Sequence, residues 1–405
     1  MNKSLKIVFG IILSLFIAGG LIALYLYFVA GGSVTTTIRD LFPQGESIDP
    51  EETIVVTPEA EEEDGTPLPK EALFQISRNP VAGASFKMGT STALFVERET
   101  GNLHSFSFET QEKVRLTNAT LPRLQEALFS SNGNRVALRY LTDDLSTIET
   151  FLAVVPLVAS LDAGELDGSF LPRNISTITA EPSGQEFFYI APKNTGVGGY
   201  ITTTGTPREV WSSPLREWVP MWVSKTTLSL STAPSGNAAG FGYMLNKDTD
   251  RTERVLGNVT GLTLNVAPNL KHALYSESAQ GWLTLSVLNL KVGSATELPV
   301  RALPEKCVWL NNSETKIICA IPDLVSPGVY PDLWYQGIVS FSDSLWSVDI
   351  ETLEVARLVN LPEAVENPID AIDLKLSADD ELLMFTNKRD GGLWGLRLDL
   401  LEENF

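Results

Sequence analysis

Short runs of apolar residues recur along the chain from about residue 85, and polar turns separate them. Some alternate apolar with polar positions, as in His104-Ser105-Phe106-Ser107-Phe108, and this period of two predicts half-buried β-strands. Seven times a strand runs through a polar turn into a second strand. The apolar residues that close the second strands are Phe95, Leu138, Tyr189, Leu230, Tyr275, Cys319 and Phe385. Five of the six spacings are 41 to 51 residues and one is 66, which indicates a repeated four-stranded unit with insertions.

This repeat predicts an all-β domain over residues 71–405, a seven-bladed β-propeller of four-stranded blades. Third and fourth strands follow the repeated unit, for example 283–288 and 297–300 in the fifth blade. The last blade has only three strands before the chain stops. We expect the segment 72–77 to complete it as the outer strand and so close the ring. Six blades with a disordered first strand is the alternative.

Four of the seven turns carry a recognisable motif. They are Ser130–Leu138 with its Asn-Gly turn, Glu181–Tyr189, Ala267–Tyr275 and Ser377–Phe385. These segments resemble the S-P-D-G-x-x-I-x-F signature of TolB-like, WD40-like propeller repeats. The Trp-Asp dipeptide of WD40 proteins does not recur, so TolB-like repeats are the nearer resemblance. It implies partner proteins rather than catalysis.

An uncharged segment precedes the repeats. Residues 7–30 contain no charged side chain and would span about 36 Å as a helix, enough to cross a bilayer. We predict a single transmembrane helix there that contacts membrane lipid. Lys3 and Lys6 lie before it and acidic residues follow it, so the positive-inside rule places residues 1–6 in the cytoplasm and the propeller outside.

Residues 31–70 have the composition of a flexible stalk. They contain five prolines, and residues 40–64 carry ten Asp or Glu and no Lys or Arg. Such a segment buries too little apolar surface to offset the entropy of ordering it. The acidic run is a solvated spacer or, alternatively, a docking site for a basic partner.

The net charge of −20 and the absence of a basic stripe argue against nucleic acid as a partner. The search for catalytic chemistry is also negative. His104 and His272 fall in different blades, and no nucleophile elbow, P-loop or dinucleotide turn occurs. The acidic pairs 143–144 and 379–380 lie in predicted turns, where Asp bonds the local backbone. We therefore expect no catalytic, metal or cofactor site.

The two cysteines lie symmetrically about Ser313 in a predicted hairpin. A hairpin that turns at Ser313 sets Cys307 opposite Cys319, within disulfide range. We predict a cross-strand disulfide. Two buried free thiols are the alternative.

The longest interruption of the repeat, residues 322–341, lies between the second and third strands of the sixth blade. In a propeller this connection shares a face with the loops that join successive blades. Its Tyr330, Trp334 and Tyr335 have the composition of a binding hot spot and are our candidate partner-binding residues. The alternative is that these rings pack on their own blade.

These observations predict a membrane-anchored extracytoplasmic propeller that acts as a protein-interaction or scaffolding module at the cell envelope, and not an enzyme. Binding of a cell-wall glycan or another envelope polymer is one alternative. Hydrolase or lyase activity at the mouth of the propeller channel is another. The sequence does not identify the partner or a small-molecule ligand.

Overall fold

The computed structural model describes residues 72–118, 120–156, 166–203 and 207–401. The described residues form seven antiparallel sheets of four strands each. Within each of six sheets the strands pair in chain order, and the seventh combines the two ends of the domain. The predicted all-β, seven-bladed propeller is confirmed.

The first three blades follow one another along the chain. Blade 1 contains β2 (Val81–Phe86), β3 (Thr92–Glu97), β4 (Leu103–Ser107) and β5 (Lys113–Arg115). Blade 2 contains β6 (Leu124–Phe129), β7 (Arg135–Leu141), β8 (Ile148–Val154) and β9 (Gly168–Phe170). Blade 3 contains β10 (Thr177–Ala180), β11 (Phe187–Pro192), β12 (Val197–Thr202) and β13 (Arg208–Ser213).

The next three blades have the same organisation. Blade 4 contains β14 (Trp218–Ser224), β15 (Thr227–Thr232), β16 (Ala239–Asn246) and β17 (Arg251–Thr260). Blade 5 contains β18 (Leu264–Val266), β19 (His272–Ala279), β20 (Trp282–Asn289) and β21 (Ala295–Glu297). Blade 6 contains β22 (Cys307–Trp309), β23 (Lys316–Pro322), β24 (Asp343–Asp349) and β25 (Val355–Val359).

Blade 7 closes the ring with strands from both ends of the domain. It contains β26 (Ala371–Leu376), β27 (Leu382–Asn387), β28 (Leu393–Arg397) and, outermost, β1 (Leu73–Ser77). In the antiparallel pair of β1 with β28, Phe74 lies opposite Gly395. The Phe74 ring lies 5.6 Å from that of Phe108, in blade 1. The predicted closing strand is therefore confirmed, and it packs on the following blade as well as its own.

The core lies between adjacent blades. Leu94 and Leu103 of blade 1 pack with Leu138 of blade 2, and Ile318 of blade 6 packs with Leu383 of blade 7. Several second strands are almost wholly buried, such as β3, β23 and β27, and all six residues of β27 are buried. Each such apolar side chain contributes about 1.5–3 kcal/mol when buried, so the blades stabilise one another around the ring.

The outer strand of blade 5 begins earlier than the sequence pattern predicted. It covers Ala295–Glu297 rather than 297–300. The turn before it is tight, because the Gly293 N–H donates to the Asn289 carbonyl at 2.8 Å. Gly293 has φ +74°, a left-handed conformation that suits glycine.

The helices of the described part are single turns. They are a 3₁₀ turn at Pro304–Lys306, α1 (Asp332–Tyr335), α2 (Leu361–Ala364) and a 3₁₀ turn at Leu398–Leu400. Among the helices that the structure describes, none combines the length and the hydrophobicity that crossing a bilayer requires. The predicted transmembrane helix at 7–30 and the predicted stalk at 31–70 lie outside the described residues.

The antiparallel path gives each blade two kinds of end. Connections from the first to the second strand lie at one end, which we call the turn end. Connections from the second to the third strand, and those between blades, lie at the other, which we call the loop end.

Candidate functional site

The loop end carries one long insertion, residues 323–342, between β23 and β24 of blade 6. The corresponding connections of the other six blades are two to six residues long. The structure therefore places this insert where the sequence predicted the longest interruption.

Hydrogen bonds connect the insert to three neighbouring blades. In blade 4, the Ser235 hydroxyl and the Gly236 N–H donate to the two carboxylate oxygens of Asp332, at 3.1 and 2.5 Å. In blade 5, the Gly281 carbonyl accepts a hydrogen bond from the N–H of Gly328 at 2.8 Å. In blade 7, the Arg389 guanidinium donates to the backbone carbonyl of Phe341 at 3.0 Å. These bonds hold the insert across four adjacent blades.

Two of the three predicted binding aromatics lie inside the protein. Tyr330 is 0% exposed and Trp334 is 4% exposed, and both stack on Phe341 with ring centroids 6.0 and 6.2 Å away. The Tyr330 hydroxyl donates to the Ser326 carbonyl at 2.9 Å. This burial favours the packing interpretation for Tyr330 and Trp334, whose rings are not presented to a partner here.

Tyr335 differs from the other two. It is 47% exposed, and its hydroxyl donates to Glu305 Oε1 at 2.5 Å. The hydrogen bond to Glu305 therefore fixes the orientation of the Tyr335 ring at the surface of the loop end. For Tyr335, partner recognition stays a prediction.

A buried ionic cluster lies beneath the insert. Lys306 donates from Nζ to Asp343 Oδ2 at 2.8 Å and to Asp370 Oδ1 at 2.6 Å, and all three side chains are 0% exposed. The same ammonium lies 5.3 Å from the ring centroid of Trp334. Lys306 follows blade 5, Asp343 begins β24 and Asp370 precedes β26, so the cluster joins the insert to three blades.

The two carboxylates of this cluster are not equivalent. Asp370 also accepts hydrogen bonds from the Trp334 indole N–H at 2.9 Å and the Phe341 N–H at 2.9 Å. Burial would raise the pKa of Asp370, but the Lys306 ammonium and these donors outweigh burial and lower it. Burial raises the pKa of Asp343 to about 6 despite the attraction of Lys306. Its Oδ1 has no hydrogen-bond partner within the described part of the chain.

Large apolar side chains are exposed above this buried layer. Within the insert, Leu324 is 77% and Ile338 is 67% exposed, and Tyr335 adds an exposed ring. Trp282 follows Gly281, which bonds the insert, and its ring is covered by the Arg301 guanidinium at 4.8 Å. We call Leu324, Tyr335, Ile338 and Trp282 the insert face. These four are the most exposed large apolar side chains of the insert and of the adjoining start of β20.

Cys307 and Cys319 lie directly opposite each other in the β22–β23 pair. The structure joins them in a disulfide, with sulfur atoms 2.06 Å apart and Cα atoms 4.0 Å apart. Both residues are buried among the apolar side chains between blades 5 and 6. The bond therefore links the innermost strand of blade 6 to its most buried strand.

The residues with catalytic potential are not brought together. His104 lies in blade 1 and His272 in blade 5. Within the described ranges, no group of three or more His, Cys, Asp or Glu side chains is arranged to hold a metal ion. Asp144 accepts from the Ser146 and Thr147 N–H groups, and Asp380 accepts from those of Asn311 and Asn312. Asp144 therefore bonds its own turn, as predicted, whereas Asp380 bonds the turn between β22 and β23 in the neighbouring blade 6.

Sequence reasoning missed the Lys306 cluster. The available signal was a charged residue set directly among apolar ones, as in Ile369-Asp370-Ala371. Such a position is consistent with an exposed strand end, and only the arrangement of the blades shows that the charge is buried. The partners of Lys306 lie 37 and 64 residues away.

Comparison with known proteins supports the propeller fold and identifies no family. No family model and no curated protein matches the chain, so the TolB-like family is not confirmed. Among solved structures, an oligogalacturonate lyase in complex with manganese is 12% identical with a TM-score of 0.56, covering 82% of this chain and 93% of that one. An oligogalacturonate lyase from Vibrio parahaemolyticus is 12% identical with a TM-score of 0.54, covering 80% and 93%.

A third solved structure, the tricorn protease, is 14% identical with a TM-score of 0.54, covering 83% of this chain and 35% of that one. This chain therefore matches only about a third of that protease. These likenesses show the propeller fold alone. They bring neither a substrate nor a catalytic residue to this protein.

Proposed function

We propose that this protein is a membrane-anchored, extracytoplasmic propeller that binds a partner protein through the insert face. The insert face carries the proposal, because Leu324 and Ile338 expose most of their apolar surface on a loop held by four blades. Preorganised apolar side chains lose little conformational entropy on binding.

Other features of the loop end extend this surface. Leu145 in the β7–β8 connection is 65% exposed, and Leu215 in the β13–β14 connection is 54% exposed. The loop end thus exposes large apolar side chains in blade 2 and between blades 3 and 4 as well as on the insert face.

The location outside the cytoplasm rests on the sequence. The uncharged segment 7–30 predicts the anchor, and the charges that flank it predict the orientation. The disulfide between Cys307 and Cys319 is consistent with an oxidising compartment. The propeller is then the part of the chain available to partners in the envelope.

Site-specific photo-crosslinking in native membranes tests the proposal. A benzophenone amino acid replaces Ile338 in the insert face, and in a matched control it replaces Val292, which is 70% exposed at the turn end of blade 5. We expect a protease-sensitive adduct of one defined size from position 338 and none from 292. Equal adducts from both positions, or a polysaccharide adduct from 338, would contradict the proposal.

A further inference from the structure

A second candidate site lies at the turn end, in the central channel. A cavity of about 360 Å³ opens there, and every blade contributes to its wall, from Ser85 in blade 1 to Lys375 in blade 7. This volume falls within the range of small-molecule pockets. The site is independent of the insert face, which lies at the opposite end of the blades.

The charges around the cavity are unusual for this protein. The chain has a net charge of −20, yet among the residues that the structure describes the charged ones that line the cavity are Lys87 and Lys375, with no Asp or Glu. The rest of the wall is largely apolar, with Phe86, Met221 and Val308 among the lining side chains. The cavity therefore combines positive charge with an apolar surface.

Lys375 has few partners inside the protein. Its Nζ donates to the carbonyl of Ala84 on the innermost strand of blade 1, which is its one acceptor among the described residues. An ammonium group has three N–H donors. No carboxylate of the described ranges lies within 4.0 Å of it, and Asp373 and Glu126 act on it only from farther away.

One of these two acids already has an ion-pair partner of its own. Glu126 is paired with Arg139, its cross-strand neighbour in blade 2. Burial lowers the pKa of Lys375, and the two acids only partly oppose that effect. Lys375 is partly buried and has no ion-pair partner among the described residues, so its ammonium group would stabilise an anion that enters the cavity.

We propose that the channel cavity binds an organic carboxylate attached to an apolar body, with Lys375 as the charge partner. The apolar body packs on Phe86, Met221 and Val308, and the carboxylate accepts hydrogen bonds from the Lys375 ammonium. Lysine ammonium groups in a largely apolar wall suit a carboxylate on an apolar body, whereas phosphate recognition uses more donors. The volume accommodates a body of about a dozen non-hydrogen atoms, at roughly 30 Å³ each.

Calorimetric titration of the full-length protein tests this site. The probe is 3-phenylpropionate, and its matched control is the neutral 3-phenylpropionamide. We expect the carboxylate to bind at least tenfold more tightly than the amide. N-acetylphenylalanine, which mimics the C-terminus of a peptide, is the third probe. If N-acetylphenylalanine binds more tightly, a peptide terminus is the source of the carboxylate. If 3-phenylpropionate binds more tightly, a free acid is the source.

Three variants locate the binding. Lys375→Met removes the charge and keeps an apolar side chain, and Met221→Trp fills the cavity without touching Lys375. Lys225→Met is the control, because Lys225 is exposed in the first turn of blade 4 and does not line the cavity. We expect each of the first two to weaken 3-phenylpropionate binding at least tenfold and the control to leave it unchanged. Equal binding of acid and amide, no binding of either acid, or unchanged binding by Met221→Trp would overturn the proposal.

Discussion

Lys306 and Asp370 form an ion pair in which neither side chain is exposed, with Nζ and Oδ1 2.6 Å apart. Asp343 completes the cluster from the other side, at 2.8 Å. One ammonium therefore faces two carboxylates in a fully buried site, and keeping both carboxylates charged there costs free energy. Asp370 also accepts hydrogen bonds from Trp334 and Phe341, whereas Asp343 Oδ1 has no partner in the described part of the chain, so this cost falls mainly on Asp343 and raises its pKa.

This asymmetry predicts different effects of two conservative substitutions. Asp370→Asn leaves the buried Lys306 with its weaker partner and disturbs the donors Trp334 and Phe341, so we expect a loss of about 3–5 kcal/mol in the free energy of unfolding. Asp343→Asn keeps an oxygen for Lys306 and Ala371 and leaves Asp370 charged. We expect it to cost less than about 1.5 kcal/mol. Urea unfolding at pH 7 measures both, and equal losses would contradict this assignment.

The insert offers a second contrast between neighbouring aromatics. Trp334 is buried against Phe341, and its indole N–H bonds Asp370, whereas Tyr335 is half exposed. We expect Trp334→Ala to lower the free energy of unfolding by about 3–5 kcal/mol and Tyr335→Ala to change it by less than about 1 kcal/mol. Thermal unfolding of the full-length protein checks both. A large loss for Tyr335→Ala would mean that its ring serves packing and not recognition.

The disulfide gives a third prediction. It closes a chain segment with a sequence separation of 12, for which the loop-entropy relation gives about 3 kcal/mol. Replacing Cys307 and Cys319 together by Ala should therefore lower the free energy of unfolding by about this amount. Reducing the disulfide of the natural protein should lower the free energy of unfolding to the same extent. Alkylation of the denatured, unreduced protein followed by mass spectrometry should label neither sulfur. Labelling of both would show two free thiols.

The features that could be predicted from the sequence are those set by local patterns. A strand, a turn and a second strand lie within about twenty residues, so the repeat is visible in segments such as Ser377–Phe385. The closing strand around Phe74 was predictable because the last blade had one strand too few. In both cases the chain itself carries the information.

The ionic cluster and the channel cavity could not be predicted in this way. Lys306 meets Asp370 only because blades 6 and 7 stand side by side, and Lys375 reaches Ala84 only because the ring closes. From the sequence alone, a charged residue beside a strand is expected to be solvent-exposed. The aromatic insert was found, but its composition could not distinguish a buried Trp334 from an exposed Tyr335.

His104 provides the last prediction, which concerns pH. The side chain is buried and stacks on Phe95 with ring centroids 5.1 Å apart, and Glu97 Oε1 lies 3.6 Å from its Nε2. Burial lowers the pKa of His104, and the attraction of Glu97 only partly opposes it. The folded protein then binds fewer protons than the unfolded chain just below pH 6.5, so His104 makes stability fall as pH falls through that range. Asp343 acts in the opposite direction, since its raised pKa stabilises the folded protein as pH falls below about 6.

His104→Phe separates these two contributions. Phe keeps the stack on Phe95 and does not titrate, and Glu97 retains its bond from Lys113 at 3.0 Å. Between pH 6.5 and 5, the free energy of unfolding should therefore fall less, or rise more, with decreasing pH in the variant than in the natural protein. One proton limits the difference in slope to about 1.4 kcal/mol per pH unit. Urea unfolding at several pH values measures both slopes. Parallel slopes would show that His104 takes up its proton equally in the folded and the unfolded protein, and would contradict the lowered pKa.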